Sequence, residues 1–129
     1  MSAPKSRAKK APLSVGIDCA DVERWRGMLS DIKKGAARRL FTQSEHRRCQ
    51  ALPDPPAGYA ACWCAKEAVF KALSPRGPVD LRRIEILFDQ KGRARVALPA
   101  GSGLGDTRVE VCLSRSPLLT LAVAVARRG

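Results

Sequence analysis

Apolar and polar positions recur along this chain with periods that predict a mixed α+β structure. Residues 13–18 form a short apolar run that predicts a strand, and residues 22–29 have helical spacing. A second helix is expected over residues 42–51 and a long one over residues 58–73. Four further strands are expected after it, over residues 83–89, 94–98, 108–114 and 119–126. This order predicts an α+β fold with one long helix packed on an antiparallel sheet.

The start of the second helix is the most clearly marked helix boundary. Thr42, Gln43, Ser44 and Glu45 form a capping box, in which the Thr hydroxyl and the Glu carboxylate satisfy amides that the first helical turn leaves without partners. A loop rich in proline and glycine over residues 52–58 then separates this helix from the long one.

The long helix has two apolar stripes when its residues are placed at about 100° each. One stripe is largely aromatic, and the other is made of small residues that let a second backbone approach closely: Ala61, Ala65, Ala68 and Ala72. Glu67 and Lys71 lie together on the flank between the stripes. Lys66 projects from the aromatic stripe, where an ammonium is costly unless it reaches solvent or meets an anion.

Two carboxylates are the main candidates for chemistry. Asp18 ends the first apolar run, and Glu67 lies in the alanine-rich helix with lysines on either side. Such a pair of hard oxygen ligands with nearby cations suits a Mg²⁺-bound polyphosphate. The same residues also fit plainer structures, because Glu67 and Lys71 have the spacing of a surface ion pair and Asp18 could cap the next helix.

Composition predicts one domain and an anionic partner. The chain has 129 residues, with 24 Lys and Arg against 12 Asp and Glu, for a net charge of +12. Residues 1–12 carry four cations and no carboxylate, so we expect a disordered basic leader followed by a single domain over residues 13–129. The positive charge favours a nucleotide, a nucleic acid, an acidic protein or a membrane surface as partner.

The cysteines and the single histidine predict no further chemistry. Five cysteines without a C-x-x-C pair indicate buried, reduced thiols rather than disulfides or zinc. His46 lies in a charged segment and is expected to be a solvated surface imidazole. The sequence has neither a secretory signal nor an apolar run long enough to span a bilayer, so we expect a cytoplasmic protein without a membrane partner.

Three ordered segments resemble one enzyme family. They are Gly16-Ile17-Asp18 with Asp21-Val22-Glu23-Arg24, then Leu40-Phe41-Thr42-Gln43-Ser44-Glu45, then the segment from Trp63 to Leu73 that contains W-x-x-K-E-A-x-x-K. In this order they resemble the holo-acyl-carrier-protein synthase branch of the 4′-phosphopantetheinyl transferase superfamily. The resemblance runs from about residue 14 to residue 126.

The resemblance implies a small α+β protomer, assembled as a homotrimer with active sites between neighbours. It implies transfer of 4′-phosphopantetheine from coenzyme A to a serine of an acyl carrier protein, with release of adenosine 3′,5′-bisphosphate. Asp18 and Glu67 would hold Mg²⁺, and Glu67 and Lys71 would be catalytic. Lys66 would support the phosphates, and Arg24 would face the carrier protein.

Other positions depart from the family pattern. The family's glycine-rich phosphate cradle after the long helix is replaced by Ser74-Pro75-Arg76-Gly77, and its closing Ser-x-Ser/Thr-His by Ser114-Arg115-Ser116-Pro117. We therefore expect Arg76 and Arg115 to compensate, with Ser114 and Ser116 also contacting substrate.

Two other functions fit the sequence less well. A catalytically weakened homologue could bind a carrier protein or stabilise an assembly. A small basic nucleic-acid-binding protein is disfavoured, because the aromatic residues best suited to base stacking, Trp63 and Phe70, lie on a stripe that resembles core.

Overall fold

Strand β1 opens the part of the chain that the structure, a computed structural model, describes: residues 13–30, 35 and 39–129. The basic leader expected over residues 1–12 lies outside these residues. All the predicted helices and strands are present. In chain order they are β1 (Leu13–Asp21), α1 (Val22–Ser30), α2 (Gln43–Gln50), α3 (Pro55–Leu73), β2 (Glu85–Phe88), β3 (Ala94–Ala97), β4 (Thr107–Arg115) and β5 (Leu119–Arg128).

The strands form two antiparallel sheets. One has the order β1-β5-β4, and the other is the β2-β3 hairpin. In the described part of the chain, two short helices accompany the 19-residue α3. The α+β class and the antiparallel strands are therefore as predicted, but the described strands form two sheets where we expected one. Helix α3 begins three residues before its predicted start, since Pro55 and Pro56 suit a first turn that needs no amide donors.

The three-stranded sheet presents one apolar face to α3. Side chains alternate between buried and exposed along β1 and β5, as expected for strands with one covered face. The buried positions carry small residues, namely Ser14, Gly16, Ala20, Thr120, Ala122, Ala124 and Ala126. Small side chains on the sheet meet the alanine stripe of α3, so the helix lies unusually close to the strands.

The closest approach is at Gly16. A Cβ atom built on Gly16 would lie 1.9 Å from the carbonyl oxygen of Ala68 and 2.7 Å from the amide nitrogen of Ala72. Both of these are backbone atoms, which cannot move aside as a flexible side chain can. Ser14 reinforces the contact by donating a hydrogen bond to the Ala72 carbonyl at 2.6 Å. The alanine stripe thus has the role predicted for it.

A buried ion pair connects α2, α3 and β2. Lys66 and Glu45 have no exposed side-chain surface, and Lys66 Nζ donates to Glu45 Oε1 at 2.7 Å. Lys66 also donates to the carbonyl of Ile84 at 2.6 Å. Glu45 accepts from the Thr42 amide in the predicted capping box and, through Oε2, from the Ile86 amide at 2.8 Å. Every charge in this cluster is therefore compensated, as burial requires.

Two smaller expectations are corrected. His46 is half-buried and hydrogen bonds to the hydroxyl of the buried Tyr59, so it is not a solvated surface imidazole. Cys49, Cys62 and Cys64 are buried, but Cys19 and Cys112 are exposed on the sheet. Among the described residues, no helix is both long enough and apolar enough to cross a bilayer.

Substituting Gly16 tests the close packing of β1 on α3. We expect Gly16→Ala to lower the free energy of unfolding by about 3 kcal/mol, since the new methyl group overlaps the backbone of α3 at both Ala68 and Ala72. Gly27→Ala is the matched control, because nothing lies within 4 Å of a Cβ at Gly27, which is inside α1. It should stabilise the protein by about 0.5–1 kcal/mol. Urea unfolding followed by circular dichroism measures both, and equal effects would contradict the packing argument.

Substituting Lys66 tests the buried ion pair. Lys66→Met should destabilise the protein by about 3–5 kcal/mol, because Glu45 would remain buried without its counter-charge. Lys91→Met, at an exposed turn position, should change stability by no more than about 0.5 kcal/mol. Equal midpoints in urea for Lys66→Met and Lys91→Met would show that the pair contributes nothing to folding.

Candidate functional site

Asp18 and Lys71 meet where β1 passes α3. Asp18 lies near the carboxyl end of β1 on the side that faces the helix, and 18% of its side chain is exposed. Lys71 Nζ donates to Asp18 Oδ1 at 3.1 Å and to the Ile17 carbonyl at 3.0 Å. Lys71 thus pairs with a residue 53 positions away rather than with Glu67, its neighbour one helical turn earlier.

Glu67 is close enough to Asp18 for the two carboxylates to affect each other. The pKa of Glu67 is raised above its ordinary value, first by burial and then by the negative charge of Asp18, while Lys71 opposes the shift. Two carboxylates on different elements therefore lie close together. A raised carboxyl pKa beside a second carboxylate is typical of functional sites.

The two carboxylates line a cleft of about 460 Å³. Helix α1 forms the opposite wall, and the contact between Trp25 and Trp63, with ring centroids 6.1 Å apart, holds it against α3. Arg24 lies on this wall and is exposed. By contrast, the guanidinium of Arg26 is engaged by Asp54 and Glu23. Of these two arginines, Arg24 is therefore the one positioned toward a ligand in the cleft.

Cys64 lies next to the site, although the sequence pattern did not indicate it as a site residue. Its thiol is buried and donates to the Thr120 carbonyl at 3.5 Å. Burial, followed by the charge of Asp18, raises the pKa of the Cys64 thiol to about 12. The thiol is therefore neutral beneath the carboxylates. Its position three residues before Glu67, on the same side of a helix, is the signal that could have identified it.

Lys66 does not take part in this cleft. Its ammonium is fully buried and is satisfied by Glu45 and by the Ile84 carbonyl. The expectation that Lys66 supports the phosphates is corrected, because a bound phosphate could reach it only by disrupting the buried pair. The anion that this buried lysine needs is the Glu45 carboxylate.

Arg76 is also held by the fold. Its Nε donates to Ser14 Oγ at 3.0 Å, and its Nη2 donates to the Ala126 carbonyl at 2.9 Å. Ser14 precedes Asp18 by four residues on β1, a separation on the order of 13 Å along the strand. In this protomer Arg76 joins the end of α3 to β1 and β5, and it does not lie beside the carboxylates.

The two serines lie near the β4–β5 turn. Ser116 Oγ accepts from the Leu119 amide at 3.0 Å and stabilises the turn. Ser114 is exposed and pairs with Leu121, which in turn pairs with Cys19. These three residues lie on the sheet face away from α3. Ser114 and Asp18 therefore point to opposite sides of the sheet within one protomer.

The donor set at the cleft fits Mg²⁺. Among the described residues, no group of three or more His, Cys, Asp or Glu side chains is gathered as a complete metal cage. Asp18 and Glu67 supply two hard carboxylates. The pKa of Glu67 is raised first by burial and then by the charge of Asp18, and a bound cation would relieve this repulsion. Mg²⁺ is commonly held by one or two carboxylates, with water and substrate phosphates completing its octahedron.

Comparisons with known proteins identify the family of this chain. The family model of the 4′-phosphopantetheinyl transferase superfamily matches residues 14–123. The chain is 30% identical over 115 residues to a holo-[acyl-carrier-protein] synthase of Chlorobaculum tepidum, covering 88% of this chain and 97% of that protein. It is 36% identical over 98 residues to the fatty acid synthase subunit alpha of Schizosaccharomyces pombe, covering 70% of this chain but only 5% of that much longer subunit.

A solved structure has the same fold. The Chronobacterium ammoniagenes ACPS-CoA complex superimposes with a TM-score of 0.76 at 24% identity, covering 91% of this chain and 98% of that one. The family match extends over most of the chain, including the strand that carries Asp18 and the helix that carries Glu67 and Lys71. The chain therefore belongs to the 4′-phosphopantetheinyl transferase superfamily.

Proposed function

We propose that this protein transfers 4′-phosphopantetheine from coenzyme A to a serine of an acyl carrier protein. The reaction would depend on Mg²⁺ and release adenosine 3′,5′-bisphosphate. The observation that carries the proposal is the meeting of Asp18, Glu67 and Lys71 at one cleft. Support comes from the whole-length similarity to a holo-[acyl-carrier-protein] synthase and from the fold shared with a coenzyme A complex.

Each residue of the cleft would have a different role in phosphoryl transfer. Mg²⁺ bound by Asp18 and Glu67 would neutralise charge on the pyrophosphate oxygens of coenzyme A. Lys71 holds the Asp18 carboxylate in place and brings a positive charge to the same point. Glu67 and Lys71 are the groups that would take up the proton of the serine hydroxyl, because both lie beside Asp18 at this cleft.

Arg24 would contact the carrier protein. Its side chain is exposed on the α1 wall of the cleft, and the net charge of +12 favours an acidic partner. Charge at the rim of an interface mainly raises the association rate. A carrier protein bound against α1 would bring its serine into the same cleft as the two carboxylates.

A homotrimer is supported by the outer face of the three-stranded sheet. Val15, Ile17, Leu121 and Val123 are between 41% and 58% exposed there. Ile17 pairs with Val123, and Leu121 pairs with the exposed Cys19, so these side chains form one continuous apolar surface. Exposed apolar patches of this kind mark interfaces. We propose that further copies of the chain cover this face, which would bring Ser114 toward a neighbouring protomer.

Mass spectrometry of apo acyl carrier protein tests the function. Incubation with this protein, coenzyme A and Mg²⁺ should add the mass of phosphopantetheine to the carrier. Asp18→Asn and Glu67→Gln should each lower turnover by at least about a hundredfold at limiting Mg²⁺, because each removes a ligand charge. Asp106→Asn is the control, since that aspartate is half-exposed and lies outside the cleft.

Two outcomes would count against the assignment. Near-normal turnover of Glu67→Gln at limiting Mg²⁺ would contradict the metal site. A wild type that binds the carrier protein without modifying it would instead support the weakened homologue.

Light scattering after size-exclusion chromatography tests the assembly. We expect the wild type to be a trimer and Ile17→Glu to be a folded monomer, because an added charge on the apolar face opposes burial. Leu87→Glu, which places the same charge on an exposed residue of the hairpin, should leave the assembly unchanged. A monomeric wild type, or an unaffected Ile17→Glu, would show that this face is not the interface.

A further inference from the structure

Two buried cysteines from successive helices meet between α2 and α3. Cys49 lies in the last turn of α2 and Cys62 lies in α3, and each residue is 1% exposed. A Cβ atom built on Gly58 would lie 3.6 Å from the Cys49 sulfur, so this sulfur lies against α3. Cys62 is one turn after Gly58 on the same side of the helix, and helical side chains lean back toward the preceding turn. The two thiols accordingly form a hydrogen bond with each other.

The surrounding charges make Cys49 the more acidic of the two thiols. The pKa of Cys49 is lowered, first by the hydrogen bond with Cys62, which outweighs burial, and then by the charges of Arg48 and Arg115, while Glu45 opposes the shift. The pKa of Cys62 is raised, first by the same hydrogen bond and then by burial. Cys49 is therefore the thiolate of the pair, and Cys62 donates to it. Neighbouring guanidinium groups favour a thiolate but repel a metal cation, so the pair is suited to oxidation rather than to metal binding.

A surface cleft leads toward the Cys49 sulfur. The cleft has a volume of about 250 Å³, and Leu52 and Gly58 are among the residues that line it. Gly58 has no side chain to cover the sulfur. The Cδ1 atom of Leu52 occupies that space instead, 2.5 Å from the position of a Gly58 Cβ. Leu52 is only half-buried, so rotation of its side chain would give a small oxidant access to the sulfur.

We propose that Cys49 and Cys62 are a redox-active pair that a hydroperoxide converts into a disulfide between α2 and α3. The Cys49 thiolate attacks one peroxide oxygen, the O–O bond breaks, and Cys49 becomes a sulfenic acid. With hydrogen peroxide, the leaving hydroxide takes up a proton to give water. The Cys62 sulfur then attacks the Cys49 sulfur, the S–O bond breaks, and the Cys62 proton leaves with the hydroxyl group as a second water. Each sulfur loses one electron, and the two peroxide oxygens gain them.

The disulfide would join α2 covalently to the helix that carries Glu67 and Lys71. Both cysteines are free thiols in this structure, so the bond belongs to an oxidised form that a thiol reductant returns to the reduced one. The proposal does not depend on the transferase function, because it concerns only the chemistry of the two sulfurs.

Peptide mapping of the peroxide-treated wild type tests the pair. The folded protein is treated with a small excess of hydrogen peroxide, unfolded, alkylated with iodoacetamide and digested without reduction. Trypsin with chymotrypsin separates the three neighbouring cysteines into the peptides Cys49–Tyr59, Ala60–Trp63 and Cys64–Lys66. We expect the first two peptides to be joined, with alkylation of Cys49 and Cys62 lost in equal proportion and restored by dithiothreitol.

Two results of this mapping would overturn the proposal. One is complete alkylation of Cys49 and Cys62 while the exposed Cys19 and Cys112 are oxidised. The other is a link from Cys49 to Cys64 in place of the link to Cys62. Protein oxidised in concentrated urea is the control, because an unfolded chain should distribute its disulfides among all five cysteines.

Cysteine variants test the separate roles of the two sulfurs. Cys62→Ala should leave a sulfenic acid on Cys49 that dimedone labels, because the partner thiol is missing. Cys49→Ala should leave Cys62 as an unlabelled thiol. Cys64→Ala is the matched control and should still form the link, since the buried Cys64 thiol donates to the Thr120 carbonyl instead. Labelling of Cys62 in Cys49→Ala, with none of Cys49 in Cys62→Ala, would refute these roles, and the mapping of the wild type stands even if a variant fails to fold.

Discussion

The close contact between β1 and α3 is the constraint on which the rest of the structure depends. At Gly16 the strand and the helix touch backbone to backbone, and any side chain there would overlap Ala68 and Ala72. Asp18 follows two residues later, so the depth of this contact fixes how far its carboxylate stands from Glu67 and Lys71. A larger residue at Gly16 would move the strand outward and separate the groups that face one another across the cleft. The packing of β1 on α3 and the geometry of the cleft therefore both depend on Gly16, a residue that has no side chain.

The two lysines of the long helix have different roles, because one stabilises the fold and the other lies at the cleft. Lys66 and Lys71 flank Glu67 in sequence, but their environments differ completely. Lys66 is buried and compensates Glu45, which also caps α2 and accepts a hydrogen bond from β2. Lys71 is half-exposed and pairs with Asp18 at the cleft. The first lysine fixes the positions of α2 and the hairpin relative to α3, and the second contributes its charge to a site where a ligand can bind.

The arginines that contribute to the net charge of +12 differ in whether they form ion pairs within the fold. Several arginines are already paired, including Arg26 with Asp54 and Arg82 with Asp80. Arg24 at the carboxylate cleft, and Arg48 with Arg115 beside Phe88, have no such partner among the described residues. The proposed contact with an acidic carrier protein thus falls on Arg24, a cation that the fold leaves available.

The sequence by itself determined the local features of this protein, because they depend only on the periods of helices and strands and on nearby residues. It predicted the order of the elements, the capping box at Thr42 and Glu45, the alanine stripe and the carboxylate pair. Only the tertiary structure decided which distant groups meet. Lys66 pairs with a residue 21 positions away, Lys71 with one 53 away, and Arg76 with one 62 away. Such partners are selected by strand register and by the close approach of β1 to α3, and neither is encoded in the spacing of residues along one helix.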